Sequence, residues 1–359
     1  MTPAPSQSTA RGQRTALLLA ILTVGILLAL IYAGSRGLRD FDSALVGYAV
    51  GTVLAAGALV YRYSLWVSRP PTWRYFRAGW RTFFSWKNFR RYTFLVPKAL
   101  WTDIFAQTFI MRRSPLRWVM HMCIFWGVLL SLAITIPLTF GWIRFTLEPQ
   151  LDYRLWVFGF QTFTFPLETV VAWVIFHALD FTAVLLLVGL AIAFWRRTND
   201  AGLLATQRFG FDLLPLVLLA AIAVTGLALT ASSVLWEGSY YSFISLTHQV
   251  VVVMWLLVLP YGKFFHIVER PATIGVTLYQ ASTETGAREA GTEEAASCRG
   301  CGEVLPSPQF VHDLQATLAD LGQRYDLPGE LGNLQEYCPT CKRKLRATGY
   351  FQRMGKEFL

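Results

Sequence analysis

Residues 245–270 read SLTHQVVVVMWLLVLPYGKFFHIVER, from Ser245 to Arg270, with histidine at 248 and 266 and an apolar run between them. The two histidines are eighteen residues apart, which at about 3.6 residues per turn is five whole turns, so one continuous helix would present both on the same face. At about 1.5 Å per residue the rings would stand roughly 27 Å apart along the axis, close to the ~30 Å depth of a bilayer's hydrocarbon core. An imidazole in a spanning helix is costly unless it is paired or liganded. Two of them on one face at opposite depths point to a helix that forms one side of two stacked haem sites.

Composition agrees with a membrane setting. Of 359 residues 54% are hydrophobic and 15% charged, which describes a polytopic membrane protein rather than a soluble domain. The formal net charge of +10 would suit nucleic acid, but the basic residues gather in loops beside apolar spans, where they set orientation, and no nucleic-acid partner is expected. Four of the five cysteines form two Cys-x-x-Cys pairs near the C-terminus, a pattern for metal rather than for a secreted disulfide framework.

Taken in order, the chain offers six spans. The first, Thr15 to Ala33, follows Arg11 and Arg14; a cleaved signal peptide ending near Ala33-Gly34-Ser35 is its rival reading. The second runs from Ser43 to Trp66. From Ser68 to Arg117 there are eleven Lys or Arg against one acid, Asp103, with Trp73, Tyr75, Phe76, Trp80, Phe83, Phe84 and Trp86 interleaved. That stretch is expected on the cytoplasmic side, partly in the interface, meeting anionic lipid or a soluble partner. The third span, Leu116 to Phe140, carries His121. An outside loop, 141–167, leads to the fourth, Thr169 to Trp195, with His177 and Asp180. The fifth, Phe211 to Leu235, and the sixth, Phe243 to Ile267, complete the set and place both termini in the cytoplasm. Residues 280–297 read as a flexible linker, and 298–359 as a small separate module.

Counting from basic boundaries pairs the histidines by depth. His121 is four residues past Arg117 and His266 three past Lys263, so both belong at the cytoplasmic edge. His177 precedes Arg196 by nineteen residues and His248 precedes Lys263 by fifteen, roughly 28 and 22 Å back, near the outer face. Bis-histidine ligation between helices meets the needs of haem iron. The plainer alternative is four histidines bonded to hydroxyls or carbonyls between packed helices. Without Cys-x-x-Cys-His, any haem is b-type.

The segment Arg113-Ser-Pro-Leu-Arg-Trp-Val-Met-His121-Met-Cys-Ile-Phe-Trp-Gly127, with the His248 to His266 spacing, resembles the membrane cytochrome b subunit of respiratory nitrate reductases. It is also similar to the membrane subunits of heterodisulfide-reductase-like complexes. The resemblance covers residues 43–270, leaving 1–42, with the first helix, and the C-terminal module, joined through 271–297, as additions. It implies a five-helix bundle in a bacterial cell membrane with two b haems, an inner one on His121 and His266 and an outer one on His248. Menaquinol would be oxidised near the outer haem, with electrons passing to a cytoplasm-side iron–sulfur subunit and a catalytic subunit of the molybdenum or heterodisulfide-reductase-like kind. The chain would not act alone on the terminal substrate. At the position ten residues after His121, where the nitrate reductase pattern has a second histidine, this sequence has Ser131; His177 would supply that ligand, or one haem only is bound. Asp180, one turn beyond His177, is the candidate acceptor of a quinol proton, or else a side chain paired with a neighbouring hydroxyl or Arg.

Cys298-Arg-Gly-Cys301 and Cys338-Pro-Thr-Cys341 provide four thiolates for one tetrahedral site, zinc first and rubredoxin-like iron second. His312 lies between them as a surface residue and Cys123 within a span as a packing residue. The fold expected is thus an all-α transmembrane bundle plus a small C-terminal zinc-ribbon-like domain built on the four cysteines. A rival functional class is a haem-free scaffold or small transporter whose zinc ribbon recruits a soluble protein.

Overall fold

Apolar runs with no interior charge become helix because in hydrocarbon only internal hydrogen bonds satisfy the backbone. The computed structural model describes residues 7–84, 96–149, 152–272, 274–276, 279, 296–305 and 308–353. The expected linker lies outside them apart from residues 296 and 297, as do residues 85–95 of the basic segment. In chain order the longer helices begin with α1 (Gln7–Gly34), α2 (Val46–Val67), α3 (Pro70–Phe83) and α4 (Pro115–Thr139). Strands β1 (Ile143–Leu147), β2 (Asp152–Val157) and β3 (Phe160–Pro166) follow. Then come α5 (Val170–Phe176), α6 (Ala178–Asn199), α7 (Leu214–Leu235), α8 (Tyr241–Val258), α9 (Pro308–Asp320) and α10 (Pro339–Arg353).

Among the described residues six helical stretches are long and apolar enough to cross a membrane: Arg11–Gly34, Ser43–Val67, Pro115–Thr139, Ala178–Asn199, Phe209–Leu235 and Tyr241–Val258. Two boundaries differ from expectation by nine residues, the others by four or fewer. The fourth stretch opens at Ala178, after α5 has closed at His177. The sixth closes at Val258 instead of running on to residue 267. Proline at 260 has no N–H for the helical ladder and its ring crowds the preceding turn, and Gly262 and a tight turn at Lys263–Phe265 follow. His248 and His266 therefore do not share one helix, and the five-turn count between them does not apply.

The chain forms two compact units, residues 1–64 with 105–267 and residues 65–104 with 268–359. This partition differs from the one expected, in which 1–42 and 298–359 stood apart from a core at 43–270. In the first unit α1 is part of the packing: Ile31 joins Ala49, Val53 and Phe140 in one buried cluster. A larger cluster joins Leu186 and Leu190 of α6, Leu218, Leu219 and Ala223 of α7, and Trp255 and Leu256 of α8. Helices α4 and α6 approach through small residues, since a Cβ on Gly127 would lie 2.9 Å from Leu186 Cβ and one on Gly189 would lie 2.9 Å from Cys123 Cβ. Cys123 is thus a packing residue.

The loop expected at 141–167 is an antiparallel three-stranded sheet in the order β1-β2-β3. Phe158 and Gly159, both at positive φ (49° and 79°), make the turn between β2 and β3. The sheet is tied to the α1–α2 connection by charge. Asp40, its side chain 2% exposed, accepts from Arg36 at 2.7 Å and pairs with Arg144 at 3.2 Å, and both guanidiniums lie over the Trp156 ring. The Arg36 hydrogen bond holds the Asp40 carboxyl below its ordinary range, against burial, with Arg144 assisting.

In the second unit α3 packs on α9. Arg74 donates to Thr317 Oγ1 at 2.9 Å and to Asp320 at 3.0 Å. Tyr75 meets Tyr279 and Phe310 at ring distances of 6.5 and 6.2 Å, and Tyr279 donates to Asp313 at 2.8 Å. Burial first, and the Asp313 bond second, push the Tyr279 phenol up. A Cβ on Gly79 would lie 3.0 Å from the Gly275 carbonyl carbon, so this contact requires glycine.

Candidate functional site

The four cysteines of the second unit converge. Their Sγ atoms all lie within 4.8 Å of one another, with 3.7 Å between Cys301 and Cys338. A tetrahedron of metal–sulfur bonds of about 2.3 Å has edges of roughly 3.8 Å, so the donor set fits one ion. Cys298 and Cys338 are buried and Cys301 faces solvent. Backbone N–H groups point at the sulfurs: Gly300 and Cys338 donate to Cys298 Sγ at 3.4 and 3.2 Å, and Cys341 donates to Cys338 Sγ at 3.4 Å. Burial raises the Cys298 thiol, but the combined amide donors outweigh it and bring it down to about 6. Hydrogen bonds with Cys301 and then Cys338 push Cys341 up to about 12. The first pair sits in a turn closed by the Ser297–Val304 bridge. The second opens α10, with Cys338 just before its first residue and Cys341 in its first turn. A ribbon with two knuckle-like turns was expected; the arrangement here is one turn and one helix start. His312 has a side chain 76% exposed, consistent with a surface position.

In the first unit the histidines divide by the way they face. His121 lies one turn before Ile124 and two before Val128, both packed on the main core cluster, so it occupies the core-facing stripe of α4. His248 lies on the stripe of α8 that continues through Val252, Trp255 and Leu259 into the same core. Its Nδ1 is 2.8 Å from Thr225 Oγ1, and Thr225 donates to the Ala221 carbonyl at 2.6 Å. With the hydroxyl hydrogen so committed, the imidazole must be the donor, and in the neutral ring Nε2 keeps its lone pair. Tyr48 of α2 lies alongside, its ring 6.2 Å from that of His248.

His177 faces elsewhere. It stacks on Trp173 at 5.0 Å, with Phe181 on the same side, and those two rings are 53% and 50% exposed. The buried stripe of α6 runs through Thr182, Leu186, Gly189, Leu190 and Ala193, and at about 100° per residue His177 lies roughly 160° from its centre. Its Nδ1 bonds to the Trp173 carbonyl at 2.9 Å. The structure therefore does not turn His177 toward the core that His248 faces, and the outer haem as paired from the sequence does not fit. Asp180 accepts from Thr230 of α7 at 2.7 Å, a partnership with a neighbouring hydroxyl. Ser131, at the substituted position, bonds to Thr182 at 2.7 Å.

His266 follows the buried pair Phe264 and Phe265 but is itself exposed, with Nδ1 2.6 Å from the Lys263 carbonyl. That bond again leaves Nε2 as the open nitrogen.

Trp255 was not singled out from sequence. It is 3% exposed, packs edge-on against Phe264 at 5.7 Å, and its Nε1–H has no acceptor among the described residues. In an apolar helical run a tryptophan reads as bulk, and only its place two turns after His248 on one stripe could have marked it. An unpaired N–H costs several kcal/mol in a membrane interior, which makes this indole the core group most in want of an acceptor. Comparison with protein-family models, with curated proteins and with solved structures yields no match.

Proposed function

We propose that this chain is a membrane-anchored electron-transfer subunit that holds b-type haem in its first unit and one metal ion in its second. The observation that carries the reading is the buried Trp255 indole without an acceptor, on the core-facing stripe it shares with His248. A haem propionate or a quinone carbonyl is the kind of group that would accept from it. His121 and His266 would hold the inner haem; for an outer one, His248 alone faces the core, so one haem is favoured over two. Haem supplies one-electron redox chemistry when bound. The chain's part is to orient the ligands: Thr225 and the Lys263 carbonyl fix Nδ1 of His248 and His266, so that each presents Nε2. Asp180, with Thr230 on Oδ1, keeps Oδ2 as the atom that would hold a quinol proton.

The proposed setting is a bacterial inner membrane with both termini in the cytoplasm, menaquinol as reductant, and a cytoplasm-side iron–sulfur subunit with its catalytic subunit as acceptors. The four-cysteine site takes zinc as a structural ion, with iron the alternative. A second reading, a haem-free scaffold built around the cysteine-bearing unit, is favoured by one observation, the exposure of His266. A reduced-minus-oxidised visible spectrum of the purified chain, with haem and metal quantified on the same sample, decides between them. One b haem per chain that is lost in His121→Ala upholds the first reading. Haem-free protein from cells supplied with haem rejects it.

A further inference from the structure

Helix α3 begins at Pro70, with only Ser68 and Arg69 between it and the last residue of α2, Val67. Since α2 lies within a candidate span, three backbone steps, at most about 11 Å of extended chain, tether α3 to the end of that span. Its aromatic residues form a row: Trp73 to Phe76 at 6.0 Å, Phe76 to Trp80 at 5.9 Å, Trp80 to Phe84 at 5.2 Å. Three of these rings are strongly exposed, Trp73 at 48%, Trp80 at 49% and Phe84 at 72%. Residues that hold the rest of the unit, Arg74, Tyr75 and Gly79, project from the other side, roughly half a turn round at about 100° per residue. The helix thus has one face packed against α9 and an aromatic face with three strongly exposed rings.

Between the two faces lie Arg77 and Arg81, both exposed. With Arg74, Trp73, Tyr279 and Asp313 they line a cavity of about 530 Å³. Arg74 is engaged by Asp320 and the Asp313 carboxylate by Tyr279, whereas Arg77 and Arg81 have no ion-pair partner among the described residues. Guanidiniums beside a cavity of that size, edged by tryptophan and tied to the end of a span, match a phosphate-bearing headgroup above an acyl chain.

We propose that α3 binds anionic phospholipid: the aromatic row enters the headgroup boundary, and Arg77 and Arg81 take the lipid phosphate. The same helix, through Arg74 and Tyr75, then holds the four-cysteine site at the membrane surface. This inference is independent of whether haem is bound.

The test uses the full chain in nanodiscs of phosphatidylcholine alone or with phosphatidylglycerol, read by hydrogen exchange on α3 and by native mass spectrometry of retained lipid. Exchange in α3 should slow about tenfold with phosphatidylglycerol, and the double variant Arg77→Gln/Arg81→Gln should abolish that difference and cut retained phosphatidylglycerol at least fivefold. Metal content of the variant reports that its cysteine-bearing unit is folded, and the comparison between lipids needs no variant at all. Equal exchange of the wild-type chain in both lipids overturns the proposal. So does full lipid retention in the double variant, or equal protection by free inorganic phosphate in phosphatidylcholine discs, which would mark a site for the soluble anion.

Discussion

The Arg62 guanidinium of α2 donates to the carbonyl of Pro260 and lies 4.1 Å over the Phe265 ring. Pro260 is among the most deeply buried residues of the chain, at a place where α8 has ended and its last carbonyls lack helical partners. A cation from a neighbouring helix therefore stabilises the break and fixes the direction in which Phe264, Phe265 and His266 leave it. Charge-assisted hydrogen bonds contribute about 1.5–3 kcal/mol, and the ring contact about 1 kcal/mol more. Arg62→Gln is expected to lower the stability of the detergent-solubilised chain by about 2 kcal/mol, with Arg62→Lys intermediate. Thermal unfolding checks this, and an unchanged midpoint in Arg62→Gln would show that the break is held by Pro260 alone.

The six spans were legible because an apolar run of about 20 residues has few other uses. What the sequence concealed follows from the same signal. The run from Val250 to Leu259 continues in hydropathy past Pro260 to Phe264 and Phe265, so hydropathy alone does not mark the break that Pro-Tyr-Gly makes at 260–262. At 141–167, aromatics fall on both faces of the strands, so the alternation that marks a sheet is not legible in the sequence. The four-cysteine site was legible as a donor set, since spacing within each pair is local. The partnership of Arg74 with Asp320 was not, because nothing in a single sequence joins positions so far apart.

Asp40 should make the first unit acid-sensitive. Its carboxyl is held below the ordinary range by Arg36, so the stability it contributes is fully present above its unfolded pKa of about 4 and is lost as pH falls through the lower folded value. At pH 7, Asp40→Asn is expected to cost about 2 kcal/mol, and the gap between variant and wild type should close below about pH 4. Thermal unfolding of both proteins across pH 3–7 tests the sign; a gap that widens on acidification would reverse it.

Trp255→Phe separates a core that holds a polar ligand from one that does not. If no acceptor is ever present, removing an unsatisfied buried N–H should stabilise the chain by about 1–3 kcal/mol. If haem or a quinone accepts from the indole, the substitution should instead weaken retention of that ligand about tenfold and leave the ligand-free stability raised. The decisive comparison is haem content per chain after equal washing, read beside the unfolding midpoint. Thr225→Val, which removes the partner of His248 Nδ1, should lower haem retention only if His248 is a ligand.

At the four-cysteine site the expected order of sensitivity follows burial and placement. Cys338→Ser removes a buried sulfur that accepts from the Cys341 backbone N–H at the start of α10, so it should abolish metal binding and expose the amides of α10 to exchange. Cys301→Ser removes the solvent-facing donor and should leave a weakened site that a chelator strips faster than it strips the wild type. His312→Ala, whose side chain points into solvent, should keep one metal per chain. Zinc and iron are distinguished on the same samples, because only iron bound to four thiolates gives visible absorption. A Cys338→Ser chain that retained full metal would show that the convergence of the four sulfurs serves packing instead of ligation.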